Sequence, residues 1–131
     1  MTQSNEMSAT AQITCSASPD FYAWVAQSGG SLVLSTYQSG KVALIGSDGE
    51  RVTLLMREFD KPLGMALQGN RLALATRHWI GIFANAPLLA HDYLEAEPGK
   101  YDALFLPRTS YHTSDLHTHD VVFQGDDLLF V

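Results

Sequence analysis

An internal repeat constrains the fold of this chain more than any other sequence feature. The string LVLST at residues 32–36 returns as LALAT at 72–76, and ALQGNRLALA at 66–75 returns as VFQGDDLLFV at 122–131. We call the spacing of the first pair of strings the short offset and the spacing of the second pair the long offset. The difference between the two spacings is about the length of an excursion at 86–100 that contains prolines and a glycine. The short offset matches a period of about 40 residues with several short strands, which is typical of propeller blades. The alternative is a plain β-meander, in which strings of turn and apolar residues recur by chance.

Strand-length apolar runs fill the chain from Ser31 onward, among them KVALIGS at 41–47 and WIGIFAN at 79–85. Turn signals divide them, and Asp48-Gly49 and Gln68-Gly69-Asn70 are among the clearest. Before them, SPDFYAWVAQSGG at 18–30 has a capping serine, a proline in the first turn and a terminal Gly-Gly pair, which predict a short helix whose aromatic face packs into the core. The predicted fold class is all-β, with antiparallel strands in about two and a half propeller-like blades and one short N-terminal helix.

Two segments make up the predicted domain organisation. Residues 1–17 are polar and aperiodic, which is typical of a disordered or extended tail. Residues 18–131 form a single propeller-like β domain, which we expect to be truncated in its third repeat because that repeat only begins at Leu128–Val131. An incomplete ring leaves strand edges open. We therefore expect a homo-oligomer, most simply a C2 dimer, that forms through those edges.

The composition argues against several classes of partner. The net charge is −6 and only 8 residues are Lys or Arg, without a cluster, so neither nucleic acid nor an anionic membrane surface is expected to bind. No apolar run approaches the length of a membrane span, and the N-terminus has no signal-peptide pattern. The single cysteine, Cys15, cannot form an intrachain disulfide, which favours a reducing compartment and a cytoplasmic location.

Four segments of the chain carry a family resemblance. They are STYQSGK at 35–41, FDKPLGMA at 59–66, LATRH at 74–78 and LPRTSYHTSDLHTHD at 106–120. These segments resemble TTYQAGK, FDRPMGLA, LATRY and VPRVSYYTGDLDIHD of a bacterial family of uncharacterised, propeller-like proteins that carry a domain of unknown function. The resemblance covers nearly all of residues 18–131 and implies a fold without implying a reaction. Since the family continues into NTLFSCL, we expect this chain to correspond to the N-terminal third of such a protein.

Alternating polar residues near the C-terminus are the best candidates for a metal site. In an extended strand, Asp115, His117 and His119 would point to one face, about 7 Å apart per step. A His-x-His pair with a nearby carboxylate suits one divalent metal ion. The alternative is the polar face of a half-exposed strand, which has the same spacing without any metal. His117 stands where the resembling family has an aspartate, and Ser114 stands where it has a glycine.

A second candidate set combines cationic and tyrosine side chains that would bind a ligand. Its members are Tyr37, Lys41, Arg77, Arg108 and Tyr111. Arg77 and Arg108 are expected at strand ends or turns, where binding residues tend to lie. The forked guanidinium group suits a carboxylate or phosphate, so this set predicts a small anionic ligand. The alternative is a structural role, in which these side chains tie turns together through backbone carbonyl groups.

Two function classes remain open from the sequence. The first is a non-catalytic, self-associating β module that binds a small ligand or a partner at its strand ends. The second is a metal-dependent hydrolase or oxygenase that uses the histidines at 112–120, which rests on analogy with other propellers. A third possibility is that an active site of the longer form has been lost together with the missing blades. No cofactor is predicted apart from the candidate divalent metal.

Overall fold

The computed structural model describes residues 15–131, in which nine strands and two helices alternate with turns. The helices are α1 (Pro19–Ser28) and α2 (Pro87–Ala90). The strands are β1 (Leu32–Thr36), β2 (Lys41–Ser47), β3 (Val52–Glu58), β4 (Met65–Gln68), β5 (Arg71–Ala75), β6 (Trp79–Asn85), β7 (Phe105–His112), β8 (Val121–Gln124) and β9 (Asp127–Phe130). The predicted tail lies outside the described residues except for residues 15–17. Neither described helix is long and apolar enough to cross a membrane.

The strands form three antiparallel sheets that follow one another along the chain. The first sheet has the order β1-β2-β3, the second β4-β5-β6-β7 and the third β8-β9. Within each sheet, every strand pairs with the strands adjacent to it in sequence, for example through the hairpin at Gly69 and Asn70. The predicted fold class, all-β with antiparallel strands and a short N-terminal helix, is confirmed.

The sequence repeat corresponds to equivalent strands in these sheets. LVLST is β1, and LALAT begins in β5 and ends one residue beyond it. The second pair of strings places the β4-β5 hairpin in register with the β8-β9 hairpin. Even the backbone hydrogen bonds before these hairpins recur at the long offset: Leu63 N to Ala75 O (3.0 Å) and Ala75 N to Gly64 O (2.8 Å), then His119 N to Val131 O (2.6 Å) and Val131 N to Asp120 O (3.1 Å).

The second sheet packs on both of its faces. On one face, Ala73, Ala75 and Ile80 are buried against Val121 of the third sheet. On the other face, the rings of Trp79 and Phe83 each meet Phe59, which follows β3, edge-on at a centroid distance of 6.2 Å. Apolar contacts on both faces therefore connect the second sheet to its two neighbours.

Helix α1 begins and ends as its sequence predicts, but its aromatic face does not pack into the core. The side chain of Ser18 accepts a hydrogen bond from Phe21 N at 3.1 Å, and Gly29 closes the helix with a φ of 66°. Val25 is buried, whereas Trp24 stacks on Phe21 at the surface and stays 53% exposed. The helix packs mainly on β2 and β3, and Val25 is the residue that it buries.

Residues 113–120 are irregular, so the strand predicted for Asp115, His117 and His119 is wrong. Strand β7 ends at His112, and the chain then turns through Ser114 and His117, whose φ angles are 59° and 50°. Residues in this left-handed region break the alternation of side chains that an extended strand would impose.

Arg108 lies inside a strand and not at a strand end. Strand β7 pairs with β6, and the register shifts between Ile82 and Phe83, which face Thr109 and Pro107. Arg108 is therefore the extra residue of a β-bulge, a position that re-aims a side chain. Pro107 is accommodated because β7 is an edge strand of its sheet.

Candidate functional site

Four residues from equivalent positions of the repeats meet at one end of the sheets. Tyr37 follows β1, and Arg77 follows β5 at the short offset. Lys61 precedes β4, and His117 precedes β8 at the long offset. The site is therefore built from two pairs of equivalent loops. One pair follows β1 and β5, and the other precedes β4 and β8.

A chain of hydrogen bonds and one close polar contact, which we call the relay, joins four side chains at this site. Tyr37 Oη lies 2.9 Å from His117 Nδ1, and His117 Nε2 lies 3.0 Å from Asp115 Oδ1. The guanidinium group of Arg77 donates to both carboxylate oxygens of Asp115, from Nε at 3.2 Å and from Nη2 at 3.0 Å. The relay thereby links the turn after β1 to a segment 80 residues further along the chain.

Charge pairing keeps the carboxylate of the relay ionised. Hydrogen bonds from Arg77 lower the pKa of Asp115 below its ordinary value of 3.8, and the same bonds raise the pKa of Arg77. Both side chains are more than a third exposed, so solvent screens part of this attraction. The bidentate geometry nevertheless fixes the orientation of the carboxylate towards His117.

The relay borders a cleft of about 370 Å³, which we call the relay cleft. Its lining residues are Tyr37, Leu63, His117 and His119. The ammonium group of Lys61 lies 5.2 Å from the centroid of the Tyr37 ring, in cation–π geometry. The cleft thus has an apolar wall and several polar groups close together.

Backbone strain is concentrated around the same place. Among the described residues, the non-glycine positions with positive φ are Lys61 (48°), Ser114 (59°) and His117 (50°). Pro62 adds to the restriction at Lys61, because a residue that precedes proline favours extended conformations. Lys61 and His117 both contact Tyr37. Strained conformations of this kind persist where the surroundings hold them, and they are enriched at functional sites.

The structure brings the predicted metal ligands only partly together. His117 Nε2 lies 3.0 Å from Asp115 Oδ1, and His119 lines the same cleft as His117. Within residues 15–131, no group of three or more His, Cys, Asp or Glu side chains is arranged to hold a metal ion. Both ring nitrogens of His117 already have partners in the relay. The metal site stays a prediction, without a ready ligand set in this conformation.

The predicted ligand-binding residues are distributed over separate places. Tyr37 and Arg77 both belong to the relay. Lys41 forms an ion pair with Glu58 across β2 and β3. Tyr111 is 56% exposed on β7. Arg108 lies on the bulge of the same strand, beside a second groove.

The second groove runs along β6 and β7 and has a volume of about 440 Å³. Trp79, Phe83, Arg108 and His112 are among its lining residues. A glycine at position 81 makes room for the two rings, because a Cβ atom there would lie 2.4 Å from the Trp79 ring. The groove is separate in its lining residues from the relay cleft, and its described residues form no comparable hydrogen-bonded set.

Sequence reasoning missed Leu63, which lines the relay cleft, and Lys61, which lies over the ring of Tyr37. Ser35 Oγ donates to the carbonyl of Leu63 at 2.6 Å, and Arg77 N donates to Asp60 O at 2.9 Å, so these bonds hold residues 60–63 beside Tyr37. A signal was present in the sequence, since Lys61 precedes His117 by the long offset of the repeat. Extending the repeat by a few residues towards the N-terminus would have identified both positions.

Comparison with known proteins identifies a domain family. A family model described as "Domain of unknown function (DUF4915)" matches residues 19–131. No curated protein and no solved structure matches the chain. The matched range contains every residue of the relay and of the relay cleft.

Proposed function

The chain belongs to the domain-of-unknown-function family DUF4915, and we propose that it is a binding module whose relay cleft binds a small anionic ligand. The observation that carries this function is a cation beside the relay that has no ion-pair partner within residues 15–131. Lys61 Nζ lies over the ring of Tyr37, whose hydroxyl group contacts the imidazole of His117.

The three lysines of the chain differ in their partners. Lys41 is paired with Glu58 and Lys100 with Glu97. Lys61 forms no ion pair with any residue of the described range, and its cation–π contact leaves the ammonium donors available to a ligand. Because Arg77 is already engaged by Asp115, Lys61 is the cation that an incoming anion would meet.

The walls of the cleft define the kind of anion. Leu63 and the ring of Tyr37 offer apolar surface, while His119 supplies an imidazole that has no hydrogen-bond partner in the described part of the chain. A small carboxylate or phosphate ester with an apolar group matches this combination. Asp60 and Asp115 lie nearby and balance part of the positive charge, so we expect modest affinity.

Titration with inorganic phosphate and with acetate tests this function. We expect amide NMR signals of residues around Tyr37 and His117 to shift saturably, and the Lys61→Met variant to bind at least about fivefold more weakly, which corresponds to about 1 kcal/mol. Lys100→Met is the matched control, because it removes a lysine that is paired with Glu97, and it should bind like the parent chain. Absence of saturable shifts, or equal weakening in both variants, would reject the relay cleft as an anion site.

We further propose that the three sheets are successive propeller-like blades of one domain over residues 18–131. The equivalence of β4-β5 with β8-β9 and the packing on both faces of the second sheet support this arrangement. We propose a reducing compartment, such as a bacterial cytoplasm, because Cys15 is a free thiol. We also propose that the chain self-associates through the exposed apolar residues of β8 and β9.

A further inference from the structure

The relay has the order of groups that activates a nucleophile. A hydroxyl group, Tyr37 Oη, contacts one ring nitrogen of a histidine, and the other ring nitrogen contacts a carboxylate. The carboxylate is in turn held by two hydrogen bonds from Arg77. Nucleophile, base and orienting group within hydrogen-bond reach of one another are the signature of covalent catalysis on unrelated folds.

The protonation states follow from the partners of each nitrogen atom. The carboxylate of Asp115 lies 3.0 Å from Nε2 and would repel a lone pair there, so the neutral imidazole of His117 carries its hydrogen on Nε2. Nδ1 then keeps a lone pair and accepts the hydrogen bond from the Tyr37 hydroxyl group. This tautomer is the one in which His117 can take the phenolic proton.

We propose that Tyr37 is a nucleophile activated by His117 and Asp115, and that the anionic ligand of the relay cleft is a phosphate ester that Tyr37 attacks. Tyr37 Oη forms a bond to phosphorus while the bond from phosphorus to the leaving alcohol oxygen breaks. The phenolic proton passes to Nδ1 of His117 and then to the leaving oxygen. Water later releases the phosphoryl group from Tyr37: its oxygen bonds to phosphorus, its proton passes to His117, and that proton returns to Tyr37 Oη as the bond from phosphorus to Tyr37 breaks.

The roles of the other residues follow from their positions. Lys61, over the Tyr37 ring, supplies positive charge beside the phosphoryl oxygens. Asp115 is a positioning residue, because it contacts His117 and Arg77 and acts on the tautomer of the histidine. The inference rests on the proposed function for its substrate class, but the reactivity of Tyr37 can be measured without any anion.

Phenylmethanesulfonyl fluoride is a suitable probe for the folded chain. In its reaction, Tyr37 Oη bonds to sulfur, the sulfur–fluorine bond breaks, fluoride leaves and the proton passes to His117. The rate at each tyrosine is read by peptide mass spectrometry, with Tyr93 and Tyr111, which are 50% and 56% exposed, as internal references. We expect Tyr37 to react at least about tenfold faster than either reference, at the low end of the range for general-base catalysis because the relay is partly exposed.

Two variants separate base catalysis from structure. His117→Asn tolerates the positive φ at this position and should lower the Tyr37 rate to that of the references while the chain stays folded. Asp115→Asn should shift the His117 tautomer, which long-range ¹⁵N–¹H correlation spectra report directly. In the parent chain these spectra should show hydrogen on Nε2 and none on Nδ1.

The outcomes distinguish this inference from the proposed function. Fast labelling that phosphate suppresses, together with a phosphoryl adduct on Tyr37 from p-nitrophenyl phosphate, is the expected result. If phosphate binds but Tyr37 labels no faster than Tyr111, the nucleophile is refuted and the binding module stands. If labelling is fast but p-nitrophenyl phosphate leaves no adduct on Tyr37, the phosphate ester is refuted as the substrate class.

Discussion

Two buried threonines differ in what their hydroxyl groups contact. Thr76 and Thr118 are 2% and 3% exposed. Thr76 Oγ1 donates to Trp79 O at 2.9 Å, whereas Thr118 Oγ1 has no hydrogen-bond partner among the described residues. A buried hydroxyl group without a partner loses its hydrogen bonds to water and forms none within the protein. Thr118 therefore lowers the stability of the segment that carries His117 and His119.

Valine substitutions at these threonines should have opposite effects. Thr118→Val keeps the shape and removes the unsatisfied group, so we expect it to raise the free energy of unfolding by about 1 kcal/mol. Thr76→Val loses one hydrogen bond and should lower it by about 1 kcal/mol. Urea unfolding followed by tryptophan fluorescence measures both changes. A shift in the same direction for the two variants would contradict this account.

The ion pair of the relay predicts a pH dependence of stability. Because Arg77 holds the pKa of folded Asp115 below its unfolded value near 3.8, the pair stabilises the folded state above that pH, and its contribution disappears as the pH falls through the folded pKa. The melting temperature of the parent chain should exceed that of Asp115→Asn at neutral pH, and the difference should shrink below about pH 4. The other carboxylates titrate in both proteins, so their effects cancel in the difference between the two melting temperatures. A difference that is constant from about pH 7 to about pH 3 would exclude this role for Asp115.

At the scale of elements, periodicity and turn chemistry predicted most of the strands, because these signals are local. β2 and β6 have the bounds of the runs KVALIGS and WIGIFAN. The segment after His112 was not predictable in the same way, because Ser114 and His117 take left-handed conformations that their residue types do not require. Both are positions at which the chain departs from the family segments it resembles. The pairing of Tyr37 with His117 was also missed, since contacts across 80 residues depend on how whole sheets pack.

The starts of β4 and β8 approach closely, which predicts an unequal effect of two glycine substitutions. A Cβ atom on Gly64 would lie 2.7 Å from Asp120 Cα, and backbone cannot move aside as a flexible side chain can. Gly64→Ala should therefore lower the free energy of unfolding by about 1–3 kcal/mol. Gly30→Ala is the matched control, because no atom lies within 4 Å of the added Cβ and its φ is not positive. It should be neutral or stabilise by up to about 1 kcal/mol.

Denaturant unfolding of both variants measures the difference. Equal stability of Gly64→Ala and the parent chain would show that the two hairpins are less tightly apposed than described. Because Gly64 and Asp120 occupy equivalent positions in the repeat, a large loss would support the packing of equivalent hairpins side by side.

At the scale of the whole molecule, the third sheet has two unlike faces. Val121 is buried against the second sheet, and Phe123 and Leu128 pack on the same core. On the opposite face, Val122 and its cross-strand partner Leu129 are 55% and 48% exposed. Val131 lies two residues after Leu129, on the same face of the extended chain, and is 82% exposed. Adjacent exposed apolar side chains of this kind are typical of surfaces that associate.

Sedimentation velocity tests whether this surface makes the chain a dimer. We expect a concentration-dependent dimer that Leu129→Lys shifts to monomer, because a lysine on an edge strand opposes pairing with another strand and places a charge in the apolar patch. Leu88→Lys is the matched control, since Leu88 is 90% exposed on α2 and lies outside the third sheet. A parent chain that sediments as a monomer at every concentration would rule out self-association. Dissociation caused equally by both variants would place the interface elsewhere, and the exposed face of β8 and β9 would then need another explanation.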